Sequence, residues 1–261
     1  MKAFSFRNPM YLALLQPKVA VPPATDPYFN NVVLLLHMDG SQGGTTFTDS
    51  SNSNHTVTAV GNANTETTIK KFGTASLEED GNGDYLSFSY SVDYPFDLGL
   101  SVAYSPAEPF TVEFWARLTN TSATNVFFGK GGGIAGWNSS NGHQYTMFTE
   151  SSTLYFQWWT SGTSPNTISA SLSSLGWSAN TWYHVAIAFD GTTTEVYFNG
   201  SRFGTSTAAY NEPSSATVFR VGANAAGYSV YGYMDDFRIT KGSSRYTGAT
   251  ITVPSASFPD S

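Results

Sequence analysis

An all-β protein, a sandwich or barrel of short antiparallel strands, is what this sequence predicts. Turn signals such as Asp190-Gly191 and Asn199-Gly200 recur roughly every eight to twelve residues, between runs dense in Val, Ile, Phe and Tyr. Aromatic residues make up 15% of the 261-residue chain, with 24 Gly and only 12% charged residues. That balance suits pleated surfaces and tight turns, and it leaves ample apolar material for a core. No stretch of useful length shows helical periodicity, and no repeat of fixed period is present. The length is compatible with a single large β domain.

Residues 1–30 stand apart from the rest. Pro9, Pro17, Pro22, Pro23 and Pro27 are too many for a regular element, and Lys2, Arg7 and Lys18 precede the first acidic residue, Asp26. The segment reads as a proline-rich anchoring arm docked on a neighbouring molecule. Its apolar run, MYLALL, is about six residues long and follows Asn8-Pro9, too short for a convincing secretory leader.

From residue 31 to 261 one strand follows another. NVVLLLHMDG is a continuous apolar run ending at a turn, the pattern of a fully buried strand. TFTDSSNSNHTVTAVGNAN supplies a polar loop and a short strand, and GTASLEEDGNGDYLSFSY reverses at Gly-Asn-Gly-Asp. In FTVEFWARL, Phe110, Val112, Phe114 and Ala116 face one way, and Thr111, Glu113, Trp115 and Arg117 the other. NVFFGKG, QYTMFTES and TLYFQWWTS continue the series. Around Asn199-Gly200, a favoured type I′ turn, Val196 and Phe198 point to a core face, while Glu195, Tyr197 and Arg202 point to a wetter one. TVFRVGAN and YGYMDDFRIT close the set.

Charge and composition exclude several functions. The net charge is −7 and no basic stripe exists to neutralise phosphates, so nucleic-acid binding is not expected. No run approaches the roughly 20 apolar residues that a bilayer-spanning helix requires. With no Cys, disulfides and thiolate metal sites are excluded.

FTVEFWARL, WYHVAIAFDGTTTEVYFNGSRFG and GYMDDFRIT, in that order, resemble the core of laminin G-like domains of the concanavalin A-like lectin/glucanase superfamily. GNGDYLSF and the LLLHMDG and FTDSSNSNH segments are similar to the first strands of the same family, so the likeness spans about residues 31–240. The resemblance implies a jelly-roll sandwich of two antiparallel sheets. The closing MDDFRITKGSSRYTGATITVPSASFP looks like the version found in bacteriophage and marine viral proteins. It implies a virion component, displayed on the particle surface in repeated copies or as a homo-oligomer. Residues 89–109 are longer than the usual family connection and are expected, with the arm, to reach other virion proteins.

Three kinds of site bear on function. Glucanases of the superfamily use a strand bearing Glu, Asp and Glu at alternating positions. The nearest match, Glu78-Glu79-Asp80, runs into Gly81, Asn82 and Gly83 without a second Glu. His37, His55, His143 and His184 form no zinc-hydrolase motif, and no Gly-x-Ser-x-Gly elbow exists, so no enzyme is expected. The family's structural calcium site maps onto Asp39 after the first strand and Asp235 or Asp236 in the last, which implies one calcium ion. Sugar binding needs exposed aromatic platforms beside planar polar groups. Trp137 with Asn138 and Asn141, and Trp158-Trp159 with Gln157, are the candidates; as neighbours on a strand, one of the two Trp residues is expected at the surface. The expected function is a non-catalytic virion surface protein with a lectin-like domain for host or environmental glycans. The rivals are a secreted carbohydrate-binding module and, behind it, a divergent glycoside hydrolase.

Overall fold

The computed structural model describes residues 25–88, 96, 98, 108–131, 144–160, 164–210, 218–224 and 227–261. In chain order its strands are β1 (Val32–Leu36), β2 (Val57–Val60), β3 (Asn64–Glu66), β4 (Ser76–Asn82), β5 (Tyr85–Phe88), β6 (Phe110–Leu118), β7 (Asn125–Lys130) and β8 (Tyr145–Glu150). There follow β9 (Thr153–Trp158), β10 (Asn166–Ser171), β11 (Tyr183–Phe189), β12 (Thr194–Phe198), β13 (Ser201–Ser206), β14 (Phe219–Val221) and β15 (Tyr228–Lys241). A one-turn helix, α1 (Leu172–Leu175), is capped by the Ser171 hydroxyl. The strands form two antiparallel sheets. One runs β13-β12-β11-β6-β15-β4-β3, with β1 beside the second half of β15; the other runs β10-β9-β8-β7-β14-β5-β2. This is the predicted sandwich.

Period-two alternation places the core. Val112 of β6 pairs with Ile187 of β11, which pairs with Val196 of β12; Phe114, Val185 and Phe198 form the adjacent row. All six are buried between the sheets, where they meet Phe127, Phe128, Phe156 and Trp158 of the second sheet. Each fully buried large apolar side chain contributes roughly 1.5–3 kcal/mol. At the β12–β13 turn Asn199 and Gly200 have φ of 45° and 88°, the paired positive values of a type I′ turn.

The outer face of the first sheet departs from expectation. Tyr197 and Glu195, assigned to a wet face, are buried. The C-terminal segment crosses that face: Ala249 accepts from the Arg202 amide at 2.9 Å, and the Ile251 amide donates to Gly200 at 2.8 Å. The segment so covers an edge strand that would otherwise offer free backbone groups to another chain. Alternation along one strand cannot reveal such a cover, because its residues lie some 50 positions further on.

Beneath this cover lies a buried ionic layer. Glu113 accepts from Arg238 Nε at 3.1 Å and Nη2 at 2.7 Å, from Tyr246 Oη at 2.7 Å, and lies 3.2 Å from His184 Nε2. Arg238 Nη1 reaches Asp26 at 3.0 Å, and Arg245 donates to both Asp26 oxygens at 2.9 and 2.6 Å. Burial alone would raise the Glu113 carboxyl, but the Arg238 charge, with His184 and Tyr246, holds it down at about 2. Asp26 belongs to the arm expected to reach a neighbour, yet here its carboxylate ties residues 25–31 to their own sandwich. Residues 1–24 lie outside the described residues, as does most of the 89–109 insertion; Phe96 and Leu98 of the latter are buried in the core.

Candidate functional site

An open cleft of about 400 Å³ lies on the outer face of the first sheet, at the β3–β4–β15 end. Register builds it. Asn64 of β3 pairs with Glu78 of β4, Glu78 with Tyr233 of β15, and Tyr233 with Arg117 of β6, giving one polar row across four strands. Their neighbours Leu77, Met234 and Ala116 point into the core, so the row faces outward. One step along, Tyr231 pairs with Asp80. Two tyrosines and two carboxylates therefore meet across a single strand pair.

Hydrogen bonds hold this row in place. Tyr233 Oη donates to Glu78 Oε1 at 3.3 Å, and the Arg117 guanidinium lies 5.4 Å from the Tyr233 ring. Asn62 Nδ2 donates to Asp80 Oδ2 at 3.2 Å, while the Asn82 amide donates to Oδ1 at 2.9 Å. The Asn62 bond foremost, then the Asp84 side chain and the Asn82 amide, lower the Asp80 pKa. Tyr233 is shifted up by burial and by Glu78. Tyr231 is 37% exposed, and its ring lies on Gly81, where a Cβ would sit 2.3 Å from the ring carbons. Gly81, with φ of 83°, therefore permits both the turn and the ring's position.

Glu79 lies between Glu78 and Asp80 but points the other way. It is buried, its Oε2 accepts from the Val230 amide at 3.1 Å, and it packs against Gly222. Burial raises its pKa well above the usual carboxylate range. Glu78-Glu79-Asp80 is thus no row of three acids in one site: alternation divides it between two faces.

Of the sugar-binding residues expected from sequence, none of the described ones lines this cleft. Trp137, Asn138 and Asn141 lie outside the described residues. Trp158 and Trp159 correct the expectation that one would be exposed, since they are 0% and 1% accessible. Trp158 stacks on Tyr210 and Phe156 within the core. Trp159 stands outside that core cluster, as alternation requires, but the opposite face at this corner is closed to solvent as well. Gln157 is half-buried on the second sheet, 3.3 Å from Thr167, away from the cleft.

The three aspartates considered for calcium are engaged separately. Exposed Asp39 accepts from Thr74 and from the Ala75 amide; Asp235 Oδ2 accepts from the Lys71 and Phe72 amides at 2.7 and 3.1 Å. Asp236 accepts from the Phe258 amide at 2.8 Å and lies 2.6 Å from His37 Nδ1. A bulge between Asp235 and Arg238, with Asp236 at φ 47°, interrupts alternation, so both acids are buried and neither faces solvent. Asp235 Oδ1 lacks a hydrogen-bond partner, but among the described residues no group of three or more His, Asp or Glu side chains could hold a metal ion. As placed, the three do not fit a shared calcium site.

The cleft is not legible in the sequence because it depends on the pairing of β4 with β15, some 150 residues apart. The two alternating pairs, Glu78/Asp80 and Tyr231/Tyr233, were the available signal.

Comparison with known proteins bears on the scaffold. Among solved structures, the botulinum neurotoxin serotype D binding domain superposes with a TM-score of 0.58 at 14% identity, covering 82% of this chain and 49% of that one. The botulinum neurotoxin DC binding domain in complex with rat synaptotagmin II gives 0.56 and 16%, covering 89% and 50%. The serotype D ligand binding domain in complex with N-acetylneuraminic acid gives 0.55 and 12%, covering 82% and 48%. The chain spans about half the length of these structures, and at such identities the likeness is one of fold. No curated protein sequence matches the chain. A family model, Laminin_G_3, described as Concanavalin A-like lectin/glucanases superfamily, matches residues 80–244, a span running from the acidic rim of the cleft through both of its tyrosines. The two-sheet jelly roll and this match agree: the chain belongs to the laminin G-like family of the concanavalin A-like lectin/glucanase superfamily.

Proposed function

We propose that this domain is a non-catalytic lectin-like module that holds a glycan in the Tyr231–Tyr233 cleft and is displayed on a virus particle. The observation behind the glycan reading is the meeting of an exposed tyrosine ring with carboxylate and amide groups in one open cleft of about 400 Å³. Sugars present an apolar ring face and a rim of hydroxyls, and aromatic faces with planar polar groups match both. One similar fold is known in complex with N-acetylneuraminic acid and another with a protein, synaptotagmin II, which supports a binding role in general.

Catalysis is disfavoured by the acids themselves. Glycoside hydrolysis needs a general acid with a raised pKa. Asp80 is shifted the opposite way, and the neighbouring acids whose pKa is raised, Glu79 and Asp84, are buried with their carboxylates on backbone amides, Glu79 on that of Val230 and Asp84 on those of Asp80 and Asn62. Asn82 stands where the third acid of an alternating triple would be.

The virion placement rests on the resemblance of the C-terminal segment to bacteriophage and marine viral proteins. In that setting the arm and residues 89–109 would contact other virion proteins, in repeated copies around the particle. Mass spectrometry of purified particles tests this, and absence of the protein would reject it. For the glycan, nuclear magnetic resonance titration of the full chain against a glycan panel should perturb the Tyr231 and Tyr233 signals. Tyr231→Ala should weaken binding roughly tenfold, as expected for loss of one stacking ring worth about 1–1.5 kcal/mol. Binding unaffected by this substitution would move the site elsewhere.

A further inference from the structure

The charge lining the cleft narrows the class of glycan, and this step rests on the glycan reading above. Glu78 and Asp80 present two carboxylates beside the tyrosine faces. Glu66 is near enough to act electrostatically on Tyr233, and the whole chain carries a net charge of −7. Arg117 is not among the residues that line the cleft: its Nε donates to the Asn180 carbonyl at 3.1 Å, and its guanidinium lies 5.4 Å from the Tyr233 ring. Bonds from Asn62, the neighbouring Asp84 side chain and the Asn82 amide hold the Asp80 carboxyl below its ordinary pKa.

An anionic sugar entering this cleft would meet like charge, with no Lys or Arg among the described residues that line it. A neutral sugar would gain stacking and ordinary hydrogen bonds. An ammonium group would gain more: charge-assisted bonds to Glu78 or Asp80, and the negative face of Tyr231. We infer that the unit selected by the cleft is an amino sugar with a free, protonated amine, and that sialic and uronic acids are rejected.

Calorimetry on the full chain tests this with three probes: a glucosamine tetramer, its fully N-acetylated counterpart and sialyllactose. The glucosamine tetramer should bind about tenfold more tightly than the acetylated one, in keeping with one partly desolvated ammonium interaction. That advantage should shrink at high salt and as pH rises enough to neutralise the amine. It should also shrink in Glu78→Gln and in Asp80→Asn, which conserve shape; melting temperatures measured alongside confirm that each variant folds. Sialyllactose should not bind. Equal affinity for the two tetramers, or preference for sialyllactose, would overturn the inference while leaving a glycan site in place. Failure of every sugar on a wider panel to bind at Tyr231 would remove the glycan reading and the inference with it.

Discussion

Arg238→Leu is the sharpest test of how this sandwich holds its outer layer. The guanidinium makes two bonds to Glu113, at 3.1 and 2.7 Å, and a third to Asp26 at 3.0 Å, and all three side chains are buried. Without it, Asp26 keeps Arg245, but Glu113 retains only the Tyr246 hydroxyl, His184 and, at 3.9 Å, the Arg245 Nε near its carboxylate. Removing one partner from a buried ion pair costs about 3–5 kcal/mol, because the remaining charge stays out of water. At about 2–4 °C per kcal/mol for a domain of this size, the melting temperature should fall by about 6–20 °C. Differential scanning calorimetry at pH 7 reads this directly, and limited proteolysis should cut within 242–261 sooner. Acid adds a second reading. With a folded pKa of about 2 against an ordinary 4.5, Glu113 binds fewer protons folded than unfolded in that interval. Its stabilisation is present above pH 4.5 and lost as pH falls towards 2, and Arg238→Leu should remove most of that dependence. The double variant Glu113→Gln/Arg238→Leu should cost less than the sum of the two single changes. A loss below about 1 kcal/mol, with the acid dependence intact, would show that the network does not fasten the segment.

Gly81→Ala places a methyl about 2.3 Å from the Tyr231 ring at a position of positive φ; it should displace the ring and weaken glycan binding more than it lowers the melting temperature. An unchanged affinity would show that Tyr231 does not shape the cleft. Glu79→Gln should be more stable than the parent at pH 8: the raised folded pKa means that stability falls as pH rises above 4.5, and the amide abolishes this fall. A parallel decline in parent and variant would refute the assignment. Because Asp39, Asp235 and Asp236 are engaged separately, melting temperatures in calcium and in chelator should agree. A higher value in calcium would restore the ion.

Strands and turns could be read directly from local order. Alternation in FTVEFWARL and paired positive φ at Asn199-Gly200 depend on neighbours within a few residues, so pattern and structure coincide there. The fate of each outward face did not depend on local order. Tyr197 and Glu195 read as solvent-facing because the covering segment arrives from 242–261, and one of Trp158 and Trp159 read as exposed because alternation specifies direction, not what lies beyond. The bulge at Asp236 turned two consecutive acids into buried groups with separate partners. The cleft itself forms only when β15 pairs with β4 and brings Tyr231 beside Asp80. Local sequence thus selects the element and the side of the sheet. Which faces close and which remain open is decided by long-range pairing, since burial depends on whatever other part of the chain packs against them.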